Sequence, residues 1–248
     1  MNPDLSRDVQ MQYLRPKQIE ERARAFPVVY VPFGPIEWHG LHLPVGTDPL
    51  KAHGAMVKTA ERFGGIVYPP FYLHDGYDLP HLLPVLTHLF ERLKQTGFRV
   101  ILGVSGHNVP SMTDMIDKAL APVTADGTCT GMGLWEVSLS RGDECNTDHA
   151  AKWETSDMMF FYGDLVDMSE LGDGPITRET YQSKKGEKQS GIGGLDPRQH
   201  ASAEVGRRCI EIASEAIGKK AQELLESLPP EHRAFRLPKI SPEYWWVV

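Results

Sequence analysis

The chain has 248 residues, with 41% hydrophobic and 24% charged residues and a formal net charge of −7. That composition belongs to a water-soluble globular protein; the acidic balance argues against nucleic acid, which calls for a basic patch, and no apolar run reaches the roughly 20 residues that span a bilayer. The start MNPDLSRDVQ is too polar for a signal peptide, and Cys129, Cys145 and Cys209 are too few and too scattered for a disulfide framework, so a reducing cytoplasm is the expected location.

Residues 9–25 predict a charged helix entered at Arg15-Pro16, where proline suits a first helical turn. Residues 28–33 (VVYVPF) are apolar without alternation, which predicts a strand buried on both faces of a parallel sheet. Gly34-Pro35 is expected to break it. Asp48 is expected to cap the next helix, with Pro49 in its first turn and Ala52, Ala55, Met56 and Ala60 on its inner face. Gly64-Gly65 ends that helix, and residues 66–68 predict a second strand. Residues 69–80 read as a loop. A helix over 80–96 then places Leu82, Val85, Leu86, Leu89 and Leu93 on one side.

Residues 98–104 (FRVILGV) predict a third strand, followed by Ser105-Gly106-His107-Asn108 and a helix over 110–120. Residues 131–139 predict a fourth strand. A polar loop then leads into a helix starting near His149. Residues 164–197 show little periodicity and predict an irregular excursion, a candidate lid. A long amphipathic helix covers 201–228, and the aromatic tail at 244–248 is expected to pack on the protein. Alternating strands and helices predict an α/β fold: one three-layer α/β/α sandwich over residues 1–248 with a mostly parallel central sheet. Right-handed crossovers put the C-terminal strand ends on one rim.

Ten histidines make metal or acid–base chemistry worth testing against that rim. Glu37 and His39 stand two apart in an extended turn and so share a side, with Trp38 pointing away. Asp48 could bridge a pair of ions, and two metals about 3.5 Å apart can hold a water and clamp an oxyanion. Mixed imidazole and carboxylate ligation suits Zn, Mn or Fe better than Mg or Ca. His107 follows a buried strand and faces the same rim. Asp148, His149 and Glu154 form a third cluster; His149 and Glu154, five apart on the predicted helix, would sit about 140° apart. This suggests separate tasks, Glu154 as ligand and His149 as general acid or base. Singly, each residue is equally well a helix cap, a surface histidine or a solvated carboxylate; the convergence favours a site. His42 lies close enough to line it. His53, His81, His88, His200 and His232 are taken as structural or surface residues. The glycine run 191–194 follows no strand and lacks a Walker lysine, and no GxGxxG follows Phe33 or Val104, so no nucleotide loop is expected.

These residues resemble the creatininase family. GPIEWHGLHLPVGTDPLKAHG is similar to its first motif, SGHN to its Gly-His turn, HAAKWETSDMM to its His-Ala-Gly-Xaa-Xaa-Glu-Thr-Ser motif, and GIGGLDPRQHASAEVG to its late Gly-Asp-Pro segment. The resemblance implies a metal-dependent amidohydrolase with two divalent ions, Zn first and Mn or Fe as alternatives. It implies a substrate with a small non-peptide C–N bond: an amide, lactam or formamide. Glu37 and His107 would hold one ion and His39 and Glu154 the other, with Asp48 shared and His149 as proton shuttle beside Glu154. The resemblance also implies homo-oligomers, often hexamers. Trp38 replaces the family's glutamine, and Val109 stands where creatininase itself carries a glutamate, so creatinine is not the expected substrate. Trp38, Tyr77, Asn108 and Trp153 are the candidate substrate contacts. The competing expectation is a non-catalytic small-molecule-binding or regulatory protein on the same fold.

Overall fold

The computed structural model describes residues 5–74, 79–176 and 190–236. Tyr77, Asp75, much of the expected lid and the aromatic tail lie outside the described residues. The described residues open with two short 3-10 turns, and the first α-helix is entered at Arg15-Pro16 as expected, running Pro16–Ala25 (α1). The strands and longer helices that follow are β1 (Val28–Ile36), α2 (Thr47–Phe63), β2 (Ile66–Val67), β3 (Phe71–His74), α3 (Leu79–Thr96), β4 (Val100–Ser105), α4 (Pro110–Thr124), β5 (Thr130–Trp135), α5 (Lys152–Tyr162) and α6 (Ala203–Ser227). No helix among the described residues is long and apolar enough to cross a membrane.

The strands pair in parallel in the order β2-β1-β4-β5, with β3 continuing the β2 side of β1. Side chains alternate along β1. Val29, Val31 and Phe33 join α1, α3 and α4 in one apolar cluster, whereas Val28 and Tyr30 join α2, α5 and α6 in the other. Both faces are thus covered, as the unbroken apolar run requires. The chain leaves β1 for β2 on one side and returns to β4 on the other, and the following helices α2 and α4 go to opposite faces. A crevice therefore opens between the C-terminal ends of β1 and β4, where α/β sheets bind ligands.

Gly34-Pro35 does not break β1, which continues to Ile36 beside β3. The reason lies in hydrogen-bond parity. Tyr30 O accepts from Tyr68 N–H and Phe33 O from Gly106 N–H. Even-numbered residues of β1 thus face β2 and β3, and odd-numbered ones face β4. The donor that Pro32 lacks falls at the gap between β2 and β3, and the one Pro35 lacks falls past the end of β4, so neither removes a ladder bond. At Gly34 a Cβ would lie 2.6 Å from Asp48 Cβ, and at Gly106 only 2.0 Å from Asp48 O, so both glycines let the first turn of α2 settle on the strand ends.

Other expectations shift. Gly46, not Asp48, precedes α2, and Asp48 sits inside its first turn with its carboxylate buried. The loop expected over 69–80 contains β3. Val85 is 52% exposed, and Leu83 and Phe90 share the packing of α3 instead. The fourth strand ends at Trp135, because Glu136 turns inward as a buried charge. α5 starts at Lys152, so His149 precedes the helix rather than lying on it.

Candidate metal centre

The segment after β1 folds back on itself: Glu37 N–H donates to Val45 O at 3.1 Å, and Thr47 Oγ1 donates to Pro44 O at 2.7 Å. This carries Glu37 and His39 over the crevice, opposite Asp48. His39 Nδ1 donates to Glu37 O at 3.2 Å, which leaves Nε2 aimed inward. Second-layer bonding of this kind is what orients a metal-ligating imidazole. His39 Nε2 lies 3.3 Å from Asp48 Oδ1, 3.4 Å from Glu154 Oε2 and 3.7 Å from Glu37 Oε1. On the other side of Asp48, His107 Nδ1 lies 3.2 Å from Asp48 Oδ2 and 3.5 Å from Glu37 Oε2.

Two candidate ligand triads therefore share Asp48, one carboxylate oxygen to each: His39/Asp48/Glu154 and Glu37/Asp48/His107. His39 Nε2 and both Asp48 oxygens are buried and lack a hydrogen-bond partner among the described residues. Such orphans are rare and call for an explanation. Nitrogen and carboxylate oxygen donors converging on them fit a borderline cation. The proton affinities express the same charge demand. Burial opposes a charge on His39, but its contact with Asp48 and the nearby Glu154 outweigh this and raise its pKa to about 9. His107 is raised for the same reasons, burial opposing and Asp48 prevailing. Burial also disfavours the Asp48 charge, yet His107 and His39 hold its pKa below the usual carboxylate range. Burial and Asp48 raise Glu37. The imidazole protons meet the demand here, and a divalent cation would displace them.

His149 Nε2 donates to Trp38 O at 3.1 Å, and its Nδ1 lies 3.4 Å from Glu37 Oε1. Its ring stacks on His39 with centroids 4.6 Å apart. Burial lowers its pKa, the carboxylate of Glu154 opposing. Glu37, His39 and His149 thus form a third converging triad. Asp148, three residues before the N-cap Ala151, accepts from the first-turn amides of α5, Trp153 N–H at 3.0 Å and Glu154 N–H at 3.2 Å. Burial, reinforced by Glu154, pushes its pKa up to about 6. Between Asp148 and α5, Ala150 has φ of 51°, and its N–H donates to Glu154 Oε2 at 2.8 Å. A left-handed alanine is a strained residue held by its surroundings.

The rest of the rim closes around these groups. His42 Nε2 donates to Thr155 Oγ1 at 2.9 Å and ties the first loop to α5, while burial and His39 lower its pKa to about 4. The glycine run 191–194 is a strap. Gly193 N–H donates to His149 O at 2.7 Å, and at Gly191 a Cβ would lie 3.0 Å from the Trp38 ring. Trp38 is 42% exposed at the mouth. Asn108 Nδ2 donates to Thr147 Oγ1 and so links the His107 turn to the His149 segment. Trp153 packs on Val137, Cys145, Cys209 and Ala213 under Lys152. Tyr77 lies outside the described residues.

Two residues at the centre escape the sequence reading. Lys51, wholly buried, donates to Glu154 Oε1 at 2.6 Å and to Glu136 Oε1 at 2.8 Å. Glu136 directly follows β5. The available signal is a lone lysine one turn after Asp48 on an otherwise apolar helix face, and a lone carboxylate at a strand end.

The chain is similar to known proteins over most of its length. The family model described as "Creatininase: Creatinine amidohydrolase" matches residues 12–220. A creatinine amidohydrolase of Pseudomonas putida is 26% identical over 267 residues, covering 91% of this chain and 100% of that one. Among solved structures, a mutant creatininase of Zn-Zn type matches with a TM-score of 0.69 at 22% identity, over 91% of this chain and 100% of that one. A structure titled "Creatininase Mn" matches with a TM-score of 0.69 at 22% identity, over 90% and 99% of the two chains.

Proposed function

The chain belongs to the creatininase family, and from that premise we propose that it is a metal-dependent amidohydrolase cleaving a non-peptide C–N bond in a small amide, lactam or formamide. The observation that carries this reading is the pair of ligand triads sharing Asp48 around orphaned buried atoms. Glu37, Asp48 and His107 hold one divalent ion, and His39, Asp48 and Glu154 hold the other. Zn is the first choice, with Mn or Fe as alternatives; solved creatininases include a Zn-Zn and a Mn form. Ions in such a centre lower the pKa of water and polarise an amide carbonyl.

The remaining steps fall to the chain's own groups. His149 is anchored through Nε2 and presents Nδ1 beside Glu37. Its lowered pKa keeps it neutral near pH 7, so Nδ1 accepts a proton from the attacking water and returns it to the leaving nitrogen. Trp38 and Asn108 contact the substrate, and an aromatic wall suits a planar or cyclic group. The substrate is not creatinine itself. Val109, where creatininase carries a glutamate, packs on the apolar cluster under α4 and offers no ligand. Leu41, Val45 and Leu195, each more than half exposed, support assembly of copies into a homo-oligomer.

The test is elemental mass spectrometry of protein purified without added metal or chelator, followed by a panel of lactams, formamides and ureides. Near two equivalents of Zn, Mn or Fe per chain are expected, with turnover of a panel member and none of creatinine. Asp48→Ala should lose the ions. Full metal content in that variant would refute the ligand assignment. No metal even after reconstitution would instead favour a binding protein on the same fold.

A further inference from the structure

Lys51 follows Asp48 by one turn of α2 and points to the same side. Its Nζ lies 2.6 Å from Glu154 Oε1, 2.8 Å from Glu136 Oε1 and 3.9 Å from Asp48 Oδ1. Asp48 Oδ1 is the oxygen facing His39, whereas Oδ2 faces His107. The two oxygens of Glu154 are therefore divided. Oε1 accepts from Lys51; Oε2 accepts from Ala150 N–H and faces His39.

An ion pair alone is a weak reason for a lysine here. Replacing a buried pair with apolar groups is often neutral or stabilising. Buried neighbours of Lys51 along α2 include Ala52, Ala55, Met56 and Ala60, so an apolar residue at position 51 would extend a surface that already packs. What distinguishes Lys51 is its place, hard against one ligand triad and on the far side of Asp48 from the other.

We propose that Lys51, balanced by Glu136, is a positioning residue that makes the two ion sites unequal. It engages Glu154 Oε1, leaves only Oε2 facing His39, and sets a fixed positive charge beside the His39/Asp48/Glu154 triad. An ion there is held more weakly than one at Glu37/Asp48/His107. The inference rests on the two-ion reading above.

The experiment is Zn binding to the full chain, measured by competition with a chromophoric chelator, in the wild type, Lys51→Met, Lys51→Gln and Glu136→Gln. The wild type should show two classes of site at least about tenfold apart. Removing the lysine charge should tighten the weaker class about tenfold. Glu136→Gln leaves that charge unbalanced and should loosen the weaker class by a similar factor. The tighter class should move less in each. Opposite signs are the discriminating result, since a merely structural pair would shift binding the same way whichever partner is removed. Lys51→Gln keeps a polar side chain at the position should methionine fail to fold. Equal classes in the wild type, or shifts of one sign in all variants, overturn the inference while leaving two ions in place. Absence of any Zn binding overturns the two-ion reading itself.

Discussion

Strand β1 and the segment that follows it carry two contrasting kinds of chemistry. From Val28 to Phe33 its side chains are buried against apolar neighbours on two faces. A few residues later the same chain sets His39 against two carboxylates, with buried polar atoms that lack a hydrogen-bond partner among the described residues. The lower sheet gains stability from removing apolar surface from water. The rim buries charge, which costs stability unless it is paired. Binding capacity and folding stability therefore reside in different residues, and substitutions should separate them.

The sharpest separation is expected at His149. His149→Gln should lower turnover about 10²- to 10⁴-fold, the usual contribution of a proton-transfer group. Ion content and thermal midpoint should stay close to wild type. A variant that lost its ions would make His149 a ligand instead of a shuttle. The converse variant is Phe90→Ala in α3. Phe90 is fully buried and meets the Phe33 ring edge-on at 6.2 Å between centroids. Truncating it should cost about 3–5 kcal/mol of stability, measured by urea unfolding with chelator present. Activity per folded chain should be unchanged, and a large loss at constant fold would blur the division between core and rim.

The same division governs how much was legible beforehand. The long apolar strands, most helix faces and the parallel character of the sheet follow from periodicity, because burial leaves a pattern of spaced residues. Glu37, His39, Asp48, His107 and Glu154 were recognisable as metal-ligand types ending strands or opening helices. Boundaries were harder to read. Gly34-Pro35 looks like a breaker until the hydrogen-bond direction of each proline is known, and that direction depends on the neighbouring strands. Asp48 looks like a cap, yet its carboxylate is drawn inward by two imidazoles from distant segments. Lys51 and Glu136 were invisible for a similar reason. A single charged residue in an apolar stretch has no periodicity, and its meaning comes only from a partner 85 residues away.

The smallest effect expected comes from His53, the histidine of α2, at the border of the two regions. His53 is 8% exposed, and its Nε2 has no hydrogen-bond partner among the described residues. Burial lowers its pKa from 6.5 to about 4. His39, also buried but facing carboxylates, moves in the opposite direction. The sign of the linkage for His53 is fixed by its depressed folded-state value. Above pH 6.5 both folded and unfolded chains carry it neutral, and its contribution is fully present. Below that the unfolded chain takes up a proton the folded chain refuses, and stability falls until pH 4 is passed. The full loss is about 3 kcal/mol. His53→Leu should remove it. Urea midpoints compared at pH 7 and pH 5, with chelator present, should therefore fall less steeply with acid in the variant than in the wild type. Equal slopes would mean that the acid sensitivity of the fold comes from the carboxylate and imidazole cluster of the rim, and that charge burial there, rather than at His53, governs how the protein responds to pH.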